Sequence, residues 1–227
     1  MASRIADCRL FLTEFRRNFR TTGALLPSGR RLSTALVHFV RDPRPGPSVL
    51  GTPGAPADHR PRRILEVGPG TGAVTRHLIR NMRPTDCLDL VELNQRFVDC
   101  LNDRFRSDPE FQPAARRSRV LHCPIEDLPA ETAYDIILSG LPMNNFAVAE
   151  VEHILGILRR LAGPGTTVSF FEYMGIRRMK AVVSGRRERT RLRGIEQVVG
   201  RLLKDHEIRR DCIWSNFPPA WVHHVRF

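Results

Sequence analysis

The sequence has few cysteines, and their arrangement indicates no structural use. Five cysteines are spread over 227 residues, and no two of them form a C-x-x-C pair. Neither a disulfide framework nor a zinc site is therefore indicated, and we expect no metal. Apolar runs approaching the ~18 residues of a membrane span are also lacking, as is the apolar core and cleavage site of a secretory signal. We expect a cytoplasmic protein.

Acidic residues are scarce relative to basic ones. Aspartate and glutamate number 24 against 36 lysines and arginines, which gives a formal net charge of +12. Such a surface attracts polyanions, either nucleic acid or an anionic membrane face, although a genome rich in arginine codons would give the same count. The length and the 41% hydrophobic content fit one globular domain with a sizeable core.

A glycine-rich turn lies between an apolar run and a helical pattern. The segment EVGPGTG, residues 66–72, follows the apolar run of residues 63–65 and precedes a helix start at residue 73. A strand, a glycine turn and a helix in this order are typical of nucleotide-binding elements. Glycine is required where the backbone turns sharply and approaches a ligand, and free N–H groups at a helix start favour polar or anionic groups.

Two carboxylates narrow the choice of ligand. Glu66 lies inside the turn, where it would repel a pyrophosphate and attract a sulfonium or ammonium group. Glu92 ends the next apolar run, at the distance of a ribose-binding acid. A nucleoside joined to a cationic amino acid fits both, and S-adenosylmethionine is such a molecule. The alternative is a tight turn without a ligand.

The run ILEVGPGTGAVT closely resembles motif I of class I methyltransferases. The alternation of strand and helix patterns from residue 62 onwards predicts a parallel sheet covered on both faces. We therefore expect an α/β, Rossmann-like fold with a seven-stranded, mostly parallel sheet. The short link between the last two strands predicts a C-terminal hairpin with one antiparallel strand at the sheet edge. Strands are predicted near residues 63–67, 87–92, 119–122, 134–139, 166–172, 207–214 and 220–227, and helices near 29–41, 72–82, 94–105, 147–161 and 177–204.

The chain divides into three predicted regions. Residues 1–41 form an N-terminal helical cap, 42–61 a connector with six prolines and three glycines, and 62–227 the methyltransferase domain. Residues 4–20 have apolar side chains at helical spacing among arginines, which suits a helix lying at a bilayer interface. The alternative is a helix packed on the domain.

The resemblance also implies a set of cofactor contacts. In the family an apolar residue lies under the adenine ring and an acidic residue meets its amino group, places that Ile125 and Glu126 take here. The segment before the first strand commonly closes over the cofactor. We expect the cofactor-binding residues to be Glu66, Gly68, Gly70, Thr71, Gly72, Glu92, Asn94, Ile125, Glu126, Ser139, Pro27 and Ser28.

The loop after the fourth strand predicts the acceptor, because ligands gather at the carboxyl ends of parallel strands. Methyltransferases acting on nucleic-acid adenine usually have Asn-Pro-Pro-Tyr/Phe or Asn-Leu-Pro-Tyr/Phe there, which holds a flipped base. This chain has Ser139 and Met143 in place of the amide and the aromatic residue. The loop and the order of the other motifs resemble bacterial phospholipid N-methyltransferases, which methylate phosphatidylethanolamine stepwise to phosphatidylcholine. We expect Ser139, Leu141 and Tyr173 to be catalytic.

Tyr173 follows the fifth strand, where it would contact the headgroup or accept a proton; otherwise it is an aromatic residue packed on the core. The aromatic residues Trp214, Phe217 and Trp221 line the lipid entrance or fill the hairpin core.

The resemblance and the charge predict a peripheral position on the inner face of the membrane. Residues 4–20 and 176–193 are the expected contacts with an anionic surface; the second segment holds eight basic residues against one glutamate. The same cluster would suit RNA phosphates, so an RNA (rRNA) adenine N-methyltransferase is the alternative function. A third hypothesis is a non-catalytic module that binds the cofactor and anchors to membranes.

Overall fold

The computed structural model describes residues 29–41, 60–129, 133–174, 186–216 and 219–227. Predictions that fall on residues 4–20, on Pro27 and Ser28, on most of the connector and on residues 175–185 lie outside the described residues. The division into cap, connector and domain stays a prediction.

Seven strands form one mixed sheet in the order β3-β2-β1-β4-β5-β7-β6. The strands are β1 Arg63–Val67, β2 Cys87–Val91, β3 Ser118–Leu121, β4 Tyr134–Ser139, β5 Ala162–Tyr173, β6 Glu207–Ile213 and β7 Ala220–Arg226. β1 to β5 pair in parallel, and β7 runs antiparallel to both β5 and β6. The predicted α/β fold is therefore confirmed.

One detail of the predicted sheet is wrong. The antiparallel strand β7 lies one position inside the edge, and β6 forms the edge itself. The reason is the long pairing of β7 with β5, which joins seven residue pairs from Thr167 to Tyr173. β6 consequently runs in the same direction as β5 and ends at the same edge of the sheet.

Six α-helices surround the sheet in the described residues. They are α1 Arg30–Leu36, α2 His38–Arg41, α3 Ala73–Asn81, α4 Gln95–Ser107, α5 Val148–Leu161 and α6 Arg186–His206. Short 3-10 helices cover Gln112–Arg117, Ile125–Asp127 and Met143–Asn145. The helix predicted over 29–41 is interrupted at Val37.

The core has two layers, one on each face of the sheet. Neighbouring residues of β1 point to opposite faces, Ile64 into the first cluster and Leu65 into the second, because successive side chains of a strand alternate. Helices α1 to α4 cover the first face and α5 and α6 the second. Leu32 and Leu36 of α1 are buried in the first cluster, so this part of the predicted cap packs directly on the sheet.

Within the described ranges, no helix is both long and apolar enough to cross a membrane.

Candidate active site

The glycine turn begins where β1 ends at Val67. Gly68, Gly70 and Gly72 all have positive φ, at 68°, 58° and 85°, a region that L side chains avoid. A Cβ at Gly72 would lie 3.0 Å from Phe111 Cζ, whereas one at Gly70 would have nothing within 4 Å. The turn is therefore packed tightly at the start of α3 and open at Gly70, where a ligand has room.

Glu92 ties the end of β2 to this turn. Its Oε2 accepts a hydrogen bond from Gly70 N at 3.0 Å, and its Oε1 accepts one from Asn94 N at 2.8 Å. Asn94 caps α4, since its side chain accepts from Arg96 N at 3.1 Å. Glu92 is thus anchored beside the turn, and its contact with ribose hydroxyls stays a prediction.

Glu66 is the buried acid of the site. It is 2% exposed, and its Oε2 has no hydrogen-bond partner among the described residues. Burial raises the pKa of Glu66 to about 8, the charge of Glu92 adds to the rise, and the Thr75 hydroxyl opposes it. At neutral pH Glu66 is therefore largely protonated, and a neighbouring cation would favour release of that proton.

Together these residues fit a nucleoside that carries a positive charge. The buried carboxyl group of Glu66, whose Oε2 has no partner among the described residues, suits a sulfonium or ammonium group once it loses its proton, and Glu92 suits the ribose. Thr71 is exposed beside the open position at Gly70. The structure thus brings Glu66, the glycine turn, Glu92 and Asn94 together, as the sequence predicts.

Ile125 and Glu126 lie in the 3-10 helix after β3. Ile125 is 5% exposed and belongs to the second core cluster. The Glu126 carboxylate lies 3.5 Å from His153 Nε2, and Arg160 donates to the Glu126 backbone oxygen at 3.2 Å. Glu126 is thus held against α5, and the contact of both residues with an adenine ring stays a prediction.

The loop after β4 lies directly on the glycine turn. Gly140 N donates to Val67 O at 2.8 Å, and a Cβ at Gly140 would lie 2.6 Å from Gly68 O. The Leu141 side chain approaches Gly68 from the same side, with Cδ2 at 3.0 Å from the position of an added Cβ. Ser139 is fully buried. Ser139 and Leu141 therefore adjoin the turn where the methyl donor is expected.

The rest of this acceptor loop, residues 140–146, is held by a helix from the other end of the chain. Arg191 of α6 donates to Asn144 O at 3.0 Å and also to Phe146 O, and Glu188 orients it through an ion pair at 2.6 Å. The sequence pattern predicts Arg191 as part of a basic membrane-contacting segment; in the structure its guanidinium is engaged by the acceptor loop and by Glu188, and the membrane contact of the segment stays a prediction. The spacing of three between Glu188 and Arg191 is the signal that indicates a side-chain pair.

Tyr173 ends β5 and packs in the first core cluster. It is 8% exposed, and its ring lies 5.1 Å from that of Phe171 in an edge-to-face arrangement. Burial raises the pKa of Tyr173, so the phenol keeps its proton at neutral pH. This arrangement suits a contact or a hydrogen-bond donor better than a proton acceptor, and the catalytic role stays a prediction.

Trp214 follows β6 and is 72% exposed. Because β6 and β5 run in the same direction, Trp214 lies at the carboxyl edge of the sheet. It therefore does not fill the hairpin core. Trp221 is half-buried on β7 with Arg210 over its ring, and Phe217 lies outside the described residues.

No group of three or more histidine, cysteine or acidic side chains suited to a metal ion occurs in the described part of the chain.

Comparison with known proteins finds similarity over part of the chain. A family model described as "Methyltransferase domain" matches residues 64–165, which run from β1 into β5. The chain is 36% identical over 108 residues to a protein named ribosomal RNA small subunit methyltransferase A from Parasynechococcus marenigrum, covering 47% of this chain and 33% of that protein. It is 30% identical over 121 residues to a tRNA1(Val) (adenine(37)-N6)-methyltransferase from Pedobacter heparinus, covering 53% and 47%. The chain thus spans between a third and a half of the length of these curated relatives.

Solved structures share the whole fold at low sequence identity. An O-methyltransferase from Bacillus cereus in complex with S-adenosylhomocysteine has a TM-score of 0.59 at 14% identity, covering 95% of this chain and 90% of that one. The O-methyltransferase TomG from Streptomyces achromogenes, in complex with S-adenosylmethionine, has a TM-score of 0.58 at 14% identity, covering 94% and 88%. These similarities establish the fold and do not identify the molecule that accepts the methyl group.

Proposed function

We propose that this chain, which carries a class I S-adenosylmethionine-dependent methyltransferase domain, transfers a methyl group to an amino nitrogen of RNA. The observation that carries the methyl transfer is the joint placement of Glu66, the open glycine turn and Glu92, with the acceptor loop packed on that turn. The two curated relatives act by their names on rRNA and on an adenine N6 of tRNA. An adenine amino group of RNA is therefore the first candidate acceptor.

The chain's own residues mainly provide binding and alignment. When bound, the cofactor supplies a methyl group on a sulfonium. Glu66 would lie beside that positive charge, Glu92 would hold the ribose, and Gly140 with Leu141 would set the distance between the acceptor and the turn. Alignment of this kind accounts for a large share of the rate enhancement in bimolecular reactions.

A phospholipid headgroup amine is a second candidate, favoured by the acceptor loop itself. Met143 is fully buried and Asn144 is 2% exposed, so neither side chain offers a surface on which a base could stack. Trp214 is exposed at the same edge, and tryptophan is favoured at membrane interfaces. Methylation of phosphatidylethanolamine at the inner membrane face, with residues 4–20 and 176–193 as membrane contacts, would fit these features.

One assay separates the candidates. Purified protein and labelled S-adenosylmethionine are incubated in parallel with unmodified rRNA and tRNA transcripts and with phosphatidylethanolamine liposomes, with heat-denatured protein as the inactive control. We expect label in methylated adenosine after nuclease digestion. Label in the lipid phase alone would replace RNA by the phospholipid acceptor. Cofactor binding without label in either fraction would identify a non-catalytic binding module.

A further inference from the structure

We propose that an arginine-lined cleft beside the glycine turn binds backbone phosphates of the RNA strand; this rests on the RNA function proposed above. The cleft has a volume of about 350 Å3 and opens at Thr71 and Gly72. Its lining includes four arginines, Arg30, Arg76, Arg80 and Arg104, and we call it the arginine cleft.

Three helices build the arginine cleft. Ala73, Arg76, His77 and Arg80 line it from α3, and their spacing of three and four residues places them on one face of that helix. Arg30 of α1 and Arg104 of α4 complete the lining. Since Gly72 is the N-cap of α3, the charged face runs outward directly from the turn that is expected to hold the methyl donor.

The cleft is positively charged after its internal ion pairs are counted. Arg76 Nε lies 2.6 Å from Glu110 Oε2, and Arg104 Nη1 lies 3.2 Å from Asp108 Oδ2. Arg80 also pairs with Glu110, so two carboxylates face four guanidinium groups. Each guanidinium has five donors, and the side chains of Arg76, Arg80 and Arg104 remain 39%, 51% and 30% exposed. The pairs therefore orient these arginines while leaving donors for an anion.

Arg30 and His77 support the same conclusion. Arg30 is exposed, and no acidic side chain of the described ranges forms an ion pair with it. The pKa of His77 is lowered, first by burial and then by the charges of Arg80, Arg30 and Arg76. A phosphate in the cleft would oppose that repulsion and raise the pKa of His77.

The surroundings of α3 and α4 favour a nucleic acid strand over a membrane. Among the described residues, the large exposed hydrophobic side chains are Ile208 and Trp214, which lie on β6 and directly after it. α3 and α4, which carry three of the four arginines, pack near β1 to β3, away from these two side chains in the sheet order. Arg30 of α1 lies nearer to them, since a Cβ at its neighbour Gly29 would lie 2.9 Å from Asn216 Oδ1. A bilayer contact is stabilised by apolar side chains beside the charges, whereas a phosphate chain needs only the charged groove.

The test measures binding of a fluorescein-labelled single-stranded RNA of twelve nucleotides by anisotropy over a series of salt concentrations. The variants are Arg30→Gln, which breaks no ion pair among the described residues, and Arg80→Gln. Arg116→Gln is the matched control, because Arg116 is exposed in the 3-10 helix before β3 and is not among the residues that line the cleft. We expect each cleft variant to weaken binding three- to tenfold at 100 mM salt. The slope of log K against log salt should become shallower by about 0.7 for each phosphate that the variant no longer neutralises.

Two further measurements complete the test. RNA should raise the pKa of His77, followed by NMR, in the wild-type protein and less in Arg30→Gln. Equal affinities in the cleft variants and the control, or no binding of RNA by the wild type, would overturn the proposal. So would a loss of binding to anionic phosphatidylglycerol vesicles in the variants with unchanged RNA binding.

Failure of the proposed function has a different signature. RNA that binds through the cleft while only phospholipid is methylated would refute RNA as the acceptor and support the cleft. RNA methylated by the Arg30→Gln/Arg80→Gln double variant with unchanged KM would refute the cleft alone.

Discussion

The glycine turn and the acceptor loop touch each other, yet different forces fix them. The turn adopts its shape through three glycines with positive φ, and its backbone is held by the hydrogen bond from Gly70 N to Glu92. The acceptor loop is held at one end by Gly140 against the turn and at the other by the Arg191 side chain, 45 residues along the chain from Phe146. The cofactor end of the site, which is the glycine turn with Glu66 and Glu92, is thus determined locally. The acceptor end, which is the acceptor loop, depends on a long-range contact.

This difference predicts how substitutions behave. A change in the turn, or in a residue that touches its backbone, should alter stability and cofactor binding together, because the same atoms serve both. A change in the long-range support of the acceptor loop should alter turnover while cofactor affinity stays constant. Substitutions in the two regions test that separation, beginning with the contact that joins them.

Gly140→Ala should have the largest effect. Its Cβ would lie 2.6 Å from the backbone oxygen of Gly68, and a backbone atom cannot move aside as a side chain does, so the two regions would be forced apart. We expect a loss of about 3 kcal/mol in the free energy of unfolding, measured by chemical denaturation, with loss of S-adenosylhomocysteine binding by calorimetry.

Gly156→Ala is the control for that change. Gly156 lies within α5, and a Cβ there would meet nothing within 4 Å, so alanine should be neutral or stabilise by up to about 1 kcal/mol. If Gly140→Ala were as stable as the wild type, the backbone of the turn or of the loop would be able to move apart at little cost in free energy.

Glu66→Gln should change the pH dependence of stability. Because the folded pKa of about 8 exceeds the ordinary value of 4.5, the folded chain retains a proton that the unfolded chain has lost between these pH values. The contribution of Glu66 to the free energy of unfolding is therefore fully present below pH 4.5. It is lost progressively as the pH rises from 4.5 through the folded pKa of about 8. Since each pH unit contributes up to about 1.4 kcal/mol, we expect a decrease of roughly 2 to 4 kcal/mol between pH 5 and pH 8, measured by chemical denaturation. It should be absent in Glu66→Gln.

Cofactor binding gives an independent check on Glu66. A cation beside this carboxyl group should expel its proton, so calorimetry at pH 7 in buffers of different ionisation enthalpy should detect proton release in the wild type and less in Glu66→Gln. Identical proton release by both proteins would remove Glu66 from the cation site.

Much of the cofactor end could be predicted from the sequence because its structure is local. The three glycines, Glu66 and Glu92 lie within 27 residues, and strand, turn and helix follow directly from their pattern. The sequence pattern does not reveal that Glu92 accepts a hydrogen bond from the backbone of Gly70. This contact is in addition to the predicted contact of Glu92 with a ribose.

The acceptor end was harder to predict because its determinants are distant in sequence. In the sequence, Arg191 is one of many basic residues with no sign of a special role. Its contact with the acceptor loop depends on the packing of α6 against α5, which is close enough that a Cβ at Gly194 would lie 2.6 Å from Val148 Cγ2. The position of β7 inside the sheet edge likewise follows from its pairing with β5, which a short hairpin link does not reveal.

Glu92→Gln should weaken the cofactor end with little effect on the acceptor loop. An amide has only one acceptor oxygen, so its NH2 group would face the N–H of Gly70 or Asn94, both of which now donate to the carboxylate. We expect the Kd for S-adenosylmethionine to rise about 30-fold, equivalent to about 2 kcal/mol, measured by calorimetry. Glu152→Gln is the control, because Glu152 is exposed on α5 and paired only at 3.3 Å with Arg201. A similar rise in the control would mean that general charge, rather than the ribose-side geometry, sets the affinity.

Arg191→Gln should have the smallest effect and the most selective one. Glutamine cannot reach both Asn144 O and Phe146 O, so the acceptor loop would lose its long-range support while the glycine turn keeps its own hydrogen bonds. We expect kcat on the RNA acceptor to fall about fivefold, equivalent to about 1 kcal/mol, while the Kd for S-adenosylmethionine stays within twofold. Arg193→Gln, an exposed neighbour on the same helix, should leave both unchanged. If cofactor affinity fell in step with kcat, the turn and the loop would be one cooperative unit, and the distinction between local and long-range support would not hold.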